Sequence, residues 1–302
     1  MEESHPTEAR TWKSYIPQGL VRLVIGLVLI AAFGIVMYIV GAKLLSDSSY
    51  GSGSSNSADS ASGYTPQTYQ TADGSECNIA VVPLAGELFT DAADATAGSG
   101  VAADDVLAAI EQANGDDTIK GIVLAIDSPG GSPAGGEMIA NALKASNKPT
   151  VALIREMGDS AAYFAATGAD VIIASPMSDV GDIGVTSSFL DYSKQDTTNG
   201  QQFVQISSGK YKDAGNPDKA LTVEEQKLLQ RNVDELYKTL TNEIAQNRNM
   251  STTTVVALAD GSSMPGSLAI GKGLIDMLGD ASTASDWFEK KFGDGTTATL
   301  CQ

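Results

Sequence analysis

The chain has 302 residues, of which 37 are acidic and 19 basic, for a net charge of −18. So acidic a protein is a poor partner for nucleic acid or for anionic lipid surfaces, both of which select clustered positive charge. One histidine (His5) and two cysteines with no C-x-x-C pair leave no zinc site of the usual kind, and no cofactor or metal is expected.

Residues 1–22 read as a cytoplasmic tail. Residues 23–42 (LVIGLVLIAAFGIVMYIVGA) are uncharged and mostly apolar, long enough to cross a bilayer as a helix. Arg10, Lys13 and Arg22 precede them; Lys43 follows, and the next basic residue is Lys120. The positive-inside rule then puts the N-terminus in the cytoplasm and everything after the span outside the cell membrane. The segment is too uniformly apolar for a core helix. As a cleaved signal peptide it is long, with a poor small-residue cleavage site after it, so an uncleaved single-pass anchor is expected. Residues 43–76, rich in Ser, Gly, Thr and Asp, read as a flexible linker that cannot bury enough surface to offset its chain entropy.

Residues 77–302 are expected to form one extracytoplasmic domain. Cys77 and Cys301 lie at its two ends. In an oxidising compartment an intrachain disulfide clasping the termini is the leading reading, with two independent thiols or a link between subunits as the alternatives. Strands are predicted at Ile79–Leu84, Gly121–Ile126, Thr150–Ile154, Val171–Ala174 and Phe203–Ile206. Helices are predicted at Ala102–Ala113, Ala134–Ala145 and Ser160–Thr167, with a long one entering through the capping box Thr222–Glu225. Shorter helices follow near Ser251–Ala259, Ser267–Gly273 and Ala281–Phe292. Continuous apolar runs such as GIVLAI suit parallel strands buried on both faces, and the alternation of strand and helix makes the domain α/β.

Three loops carry candidate chemistry. Asp127–Ser132 (DSPGGS) follows a strand, and its two glycines would let backbone N–H groups approach a ligand, as an oxyanion hole needs; an ordinary strand-to-helix turn explains it equally well. Ser160, in Met157-Gly158-Asp159-Ser160-Ala161-Ala162, opens a helix, where a serine is usually just an N-cap. As a nucleophile it would have the N–H of Ala161 and the helix dipole beside it. His5 lies across the membrane from Ser160 in this reading, so the base for such a serine would have to be something else. Lysine is the obvious remaining choice, and Lys212 lies in Gly209-Lys210-Tyr211-Lys212-Asp213. Most lysines are solvated surface charges; as a base near neutral pH, Lys212 would need its pKa lowered by about 3 units through desolvation.

Taken together, these loops resemble the signal peptide peptidase A family of serine–lysine peptidases, in its short single-domain form. The matching pieces are DSPGG, MGDSAAY, Gly181-Asp182-Ile183-Gly184-Val185, GKYKD, LTVEEQKLLQR, and Leu258-Ala259-Asp260-Gly261 followed by AIGKGLID, and they cover nearly all of residues 77–290. The resemblance implies a ClpP/crotonase-like spiral of ββα units, with Ser160 as nucleophile and Lys212 as general base. It also implies an oxyanion hole from the N–H groups of Gly131 and Ala161, a homo-oligomer, and peptide substrates such as signal-peptide remnants with small or apolar side chains. Lys210 has no counterpart role in it and is read as a solvated neighbour. Two departures stand out. Ala161-Ala162 replaces the family's Gly-Gly, which keeps the N–H. Asp182 replaces a serine whose hydroxyl would bond the lysine amine; beside Lys212 a carboxylate would favour the ammonium and oppose its use as a base. Asp182 therefore either points away from Lys212, is protonated in a dry pocket, or shifts the site to slower turnover or another pH.

The expected function is a membrane-anchored serine endopeptidase with a Ser160–Lys212 dyad, acting on peptides at the outer face of the membrane. A catalytically inactive scaffold or peptide-binding protein of the same fold is the alternative. A crotonase-like acyl-CoA enzyme would use the same sheet, but an acidic domain outside the cell is a poor setting for that chemistry.

Overall fold

The computed structural model describes residues 76–92 and 100–301. The tail at 1–22, the span at 23–42 and the linker up to residue 75 lie outside the described residues. Among the described residues no helix is long and apolar enough to cross a membrane.

The centre of the domain is a seven-stranded sheet. Its main path runs β1 (Ile79–Ala85), β4 (Gly121–Ser128), β5 (Thr150–Asp159), β6 (Val171–Ala174) and β9 (Met277–Leu278), with every neighbouring pair parallel. Two strands stand off this path: β7 (Asp179–Gly181) pairs in parallel with the far end of β5, and β8 (Ser263–Pro265) pairs antiparallel with β7. A separate parallel pair, β2 (Glu87–Phe89) with β3 (Gly100–Ala102), leads directly into the first described helix. The domain is thus α/β with a mainly parallel sheet, as the strand–helix alternation predicted.

Side chains alternate across a strand with period two, and here both faces are covered. On one face Val82, Leu84, Ile122, Leu124, Ile126 and Ile154 join the larger core. It is closed by α1 (Ala103–Gly115), α2 (Pro133–Ala145) and α3 (Ser160–Ala166), which contribute Ile110, Ile139 and Tyr163. On the other face Ile79, Val123, Val151, Leu153 and Ile173 pack with Phe288 and Ala284 of α8 (Ala281–Phe292). That double burial is why GIVLAI reads as an unbroken apolar run.

The remaining helices are α4 (Ser193–Thr198), α5 (Val223–Asn247), α6 (Thr252–Val256) and α7 (Gly266–Lys272). α5 begins at the expected capping box: the Thr222 hydroxyl accepts from the Glu225 N–H, and the Glu225 carboxylate accepts from the Thr222 N–H. Cys77 and Cys301 are joined by a disulfide, Cα to Cα 5.3 Å. The bond ties the entry of β1 to the C-terminal segment, which also bridges to Ile79 through Leu300.

One element differs from expectation. Phe203–Ile206 is not a strand: it pairs with no other strand, with Val204 and Ile206 exposed. A strand needs a ladder partner as well as β-forming residues, and no strand among the described residues pairs with this segment.

Candidate active site

Three chain segments leave the carboxyl ends of parallel strands at one place, the position where open α/β sheets bind ligands. The register brings them together. Ser128 of β4 pairs with Gly158 of β5, and Asp159 of β5 pairs with Gly181 of β7. The next residues on β5 and β7 are Ser160 and Asp182.

Ser160 sits on a sharp turn between β5 and α3, with φ +52°. A non-glycine residue with positive φ is uncommon and costs of order 1–3 kcal/mol, so it persists only where the surroundings hold it. Those surroundings are tight. Gly130, at φ +94°, packs so closely that a Cβ on it would lie 2.7 Å from the Ser160 Cβ and 2.9 Å from the Ala161 nitrogen. Gly130 is itself held by its N–H, which donates to the buried Ser128 Oγ at 3.1 Å.

Gly131, at φ +142°, follows. The Leu88 N–H donates to Gly130 O at 2.8 Å and the Ser132 N–H donates to Leu88 O at 2.7 Å, so this pairing steps over Gly131 and leaves its N–H uncommitted. Ser132 then caps α2, its Oγ accepting from the Gly135 N–H at 3.2 Å. Ala161 is buried in the first turn of α3, where backbone N–H groups have no partner within the helix. Two backbone donors, from Gly131 and Ala161, therefore flank the Ser160 turn, and alanine in place of glycine does not disturb the helical backbone there.

Ser160, Gly131 and Asp182 line one open cavity of about 480 Å³. Tyr237 on α5 and Ala259–Gly261 also line it. Tyr237 Oη donates to Ala259 O at 2.9 Å, locking helix to loop, and the Asp182 N–H donates to Ser262 O at 3.0 Å, locking that loop to the end of β7.

Carboxyl groups dominate the electrostatics. Burial, then the neighbouring charges of Asp179 and Asp182, pushes the Asp159 carboxyl up to about 7. Its Oδ1 is buried with no hydrogen-bond partner. Burial, reinforced by Asp179, also raises Asp182. Asp260 goes the other way: its Oδ1 accepts from the hydroxyl and N–H of Ser262 at 2.6 and 3.0 Å, which hold the carboxylate below its ordinary range.

The structure brings together Ser160, Gly131, Ala161 and Asp182. Lys212 stands elsewhere: it is exposed, its N–H closes a turn onto Gly209 O at 3.1 Å, and it is not among the residues lining the cavity. Asp182 is influenced by burial and Asp179, not by Lys212. Lys210 is exposed but not unpartnered, since it forms an ion pair with Glu224. Asp159, Tyr237 and Asp260 were not singled out from the sequence as parts of the site. Asp159 and Asp260 were visible only as acidic members of two quoted motifs, and Tyr237 only as one residue of a long amphipathic helix.

Comparison with known proteins gives the family. Residues 142–293 match Peptidase family S49, a span holding Ser160, Asp182 and Lys212. A putative protease of Methanocaldococcus jannaschii is 34% identical over 171 residues, 56% of this chain and 55% of that protein. A putative signal peptide peptidase SppA of Enterococcus faecium is 33% identical over 186 residues, covering 60% and 54% of the two chains. A chloroplastic serine protease SPPA of Arabidopsis thaliana is 28% identical over 192 residues, 63% of this chain but 28% of that one. The chain spans about half the length, or less, of these curated relatives. Among solved structures, a ClpP1 variant from Listeria monocytogenes superposes with a TM-score of 0.46 at 12% identity, over 67% of this chain and 92% of that one. With half of its residues matched by the family and two of these relatives named as signal peptide peptidase A proteins, the chain belongs to Peptidase family S49, that of the signal peptide peptidase A proteins.

Proposed function

We propose that this protein is a serine endopeptidase, anchored in the cell membrane through residues 23–42, that cleaves signal-peptide remnants or other peptides at the outer face. The observation that carries the peptidase reading is the strained Ser160 turn, with backbone donors of Gly131 and Ala161 at its sides and an open cavity in front. Ser160 Oγ attacks the peptide carbonyl. The two N–H groups receive the oxyanion as charge develops, where preorganised donors have their largest effect. Neutral Lys212 takes the serine proton and returns it to the leaving amine, and water then releases the acyl group by the reverse proton path. Membership of Peptidase family S49 supports the reaction class.

Lys212 must reach Ser160 for this to work, and in a single protomer it is exposed and outside the cavity lining. The segment between β7 and α5 that bears it also exposes Leu190, Val204 and Ile206. In this reading the protein is a homo-oligomer, and assembly over those apolar residues brings the lysine to a serine. The finer fold reading, a ClpP/crotonase-like spiral, draws support from the repeated strand–helix units and from β2–β3 and β7–β8 standing off the main sheet path.

A second reading, an inactive scaffold or peptide-binding protein, is favoured by one observation: the cavity wall nearest the serine on β7 is a carboxylate, Asp182, and no lysine lines it. A fluorophosphonate probe on the full-length protein separates the two. Labelling that disappears in both Ser160→Ala and Lys212→Ala supports the peptidase. Absence of labelling in a folded, oligomeric sample supports the scaffold.

A further inference from the structure

Between Asn199 and Thr222 the chain forms neither helix nor strand, so the backbone that carries Lys212 has no ladder or helical bonds to hold it. Short turns take their place. The N–H groups of Lys212, Ala214 and Asn216 donate to the carbonyls of Gly209, Tyr211 and Asp213. Gly215, at φ +83°, lies against α5: a Cβ on it would stand 3.9 Å from Leu229 Cδ1.

Two consecutive glutamates in the first turn of α5 meet the lysines on either side of Lys212. Glu224 pairs with Lys210, and Glu225 pairs with Lys219. Lys212, between those two lysines in sequence, has no ion pair among the described residues. That allotment suits a base, because a carboxylate on its amine would favour the ammonium.

The two pairs are unequal. The Lys210 and Glu224 side chains are 64% and 63% exposed, and an ion pair so open to water contributes little. Those of Lys219 and Glu225 are 17% and 5% exposed. Glu225 Oε2 accepts from the Thr222 N–H and hydroxyl at 3.0 and 2.9 Å, which completes the capping box without any lysine. Its Oε1 takes the Lys219 ammonium as well. Lys219 first, and then Thr222, hold the Glu225 carboxyl down at about 2, so the pair stays ionised through the neutral range. A largely buried pair of this kind resists breaking, because loss of one member strands the other.

Resting on the reading of Lys212 as general base, we propose that Lys219 and Glu225 are its positioning residues: their ion pair fastens the turns that bear Lys212 to the start of α5 and so fixes where the base stands. Neither residue touches substrate; both act through Lys212. In a lone protomer that place is on the surface, and it is the place from which assembly has to deliver the amine.

The test follows fluorophosphonate labelling of Ser160 in the full-length protein, as the limiting rate and the half-saturating probe concentration, with sedimentation velocity alongside. Glu225→Gln keeps the capping box, which glutamine also completes, and removes only the charge that Lys219 meets. Lys219→Met removes the other member of the pair and decides the matter if Glu225→Gln fails to fold. Each is expected to lower the limiting rate by about ten-fold or more, since displacing a reacting group by about 1 Å can cost on the order of 100-fold. The half-saturating concentration and the sedimentation coefficient should stay as in the wild type. Lys219→Arg, which keeps a cation suited to a buried pair, should label within about two-fold of the wild type.

Wild-type limiting rates in Glu225→Gln and Lys219→Met overturn the proposal. So does a loss that Lys219→Arg shares, a weakened probe affinity or a dissociated oligomer, each of which marks a general structural role. Lys212→Ala serves to separate the two readings. If it is silent while both pair variants label like the wild type, only this proposal falls and the dyad stands. If Lys212→Ala itself labels like the wild type, the base role falls and this proposal with it, while Ser160 remains a nucleophile. A wild-type protein that does not label removes both.

Discussion

Ser160 and Asp182 occupy equivalent places on two neighbouring strands: each follows one member of the Asp159–Gly181 register pair, and each holds a left-handed backbone, at φ +52° and +45°. Parallel pairing of β5 with β7 thus ends in two strained residues side by side at the mouth of one cavity. Strain of this kind persists only where neighbours hold it in place, which makes those neighbours testable.

Gly130 is the first. A side chain there would meet Ser160 Cβ at 2.7 Å and Asp159 O at 2.8 Å, at a φ of +94° that disfavours any Cβ. Gly130→Ala is expected to slow fluorophosphonate labelling more than ten-fold and to destabilise the protein by about 1–3 kcal/mol. Labelling rates measured well below the variant's melting temperature check it; an unchanged rate would mean that the loop does not hold the serine turn.

Stability should fall as pH rises across neutrality. The folded Asp159 carboxyl titrates near 7, above the ordinary value of 3.8, so between these pH values the folded state binds more protons than the unfolded state. Unfolding free energy therefore decreases from about pH 4 upward and reaches its full loss above pH 7. Asp182 is raised as well and acts in the same direction. Asp159→Asn should flatten the profile and stabilise the protein at pH 8 by about 2 kcal/mol. Thermal midpoints of both proteins at pH 5 and pH 8 decide the matter, and parallel profiles would sink the assignment.

Reduction of the Cys77–Cys301 bond releases a loop with a sequence separation of 224 residues. In the chain-entropy picture such a closure stabilises by up to about 5 kcal/mol. The double variant Cys77→Ser/Cys301→Ser should melt well below the oxidised protein and at the same temperature as the reduced one. Identical midpoints with and without reductant would show that the clasp contributes nothing.

Phe288 anchors the second core. It is fully buried against Ile79, Val123 and Val151, and its ring stacks on Phe292 with centroids 5.9 Å apart. Phe288→Ala should cost about 3–5 kcal/mol through lost burial and the cavity left behind. Because α8 lies on the face away from α3, fluorophosphonate labelling at low temperature should persist in this variant while its denaturation midpoint drops.

Much of the architecture is legible in short stretches of the chain. Gly121–Ile126 and Thr150–Ile154 read as buried parallel strands because every residue but Thr150 is apolar whichever face it points to. Thr222 and Glu225 announce the start of α5 because a capping box is made within four residues. The DSPGG and MGDSAAY motifs mark two turns that the structure places side by side, for the same local reason: glycine and a helix-opening serine carry their conformational preference with them.

What local pattern does not contain is register. Phe203–Ile206 has the residues of a strand and no partner to pair with. The placement of Asp182 beside Ser160, the approach of Gly130 to that serine and the arrival of Tyr237 and Asp260 in the same cavity all depend on contacts between distant segments. The sequence by itself determined an α/β domain with a candidate serine and candidate backbone donors beside it, since helix starts, turns and buried strands follow from neighbouring residues. Only the tertiary structure decided that the charged group sharing the serine's cavity is a carboxylate and not Lys212, because strand pairing and loop packing set that proximity.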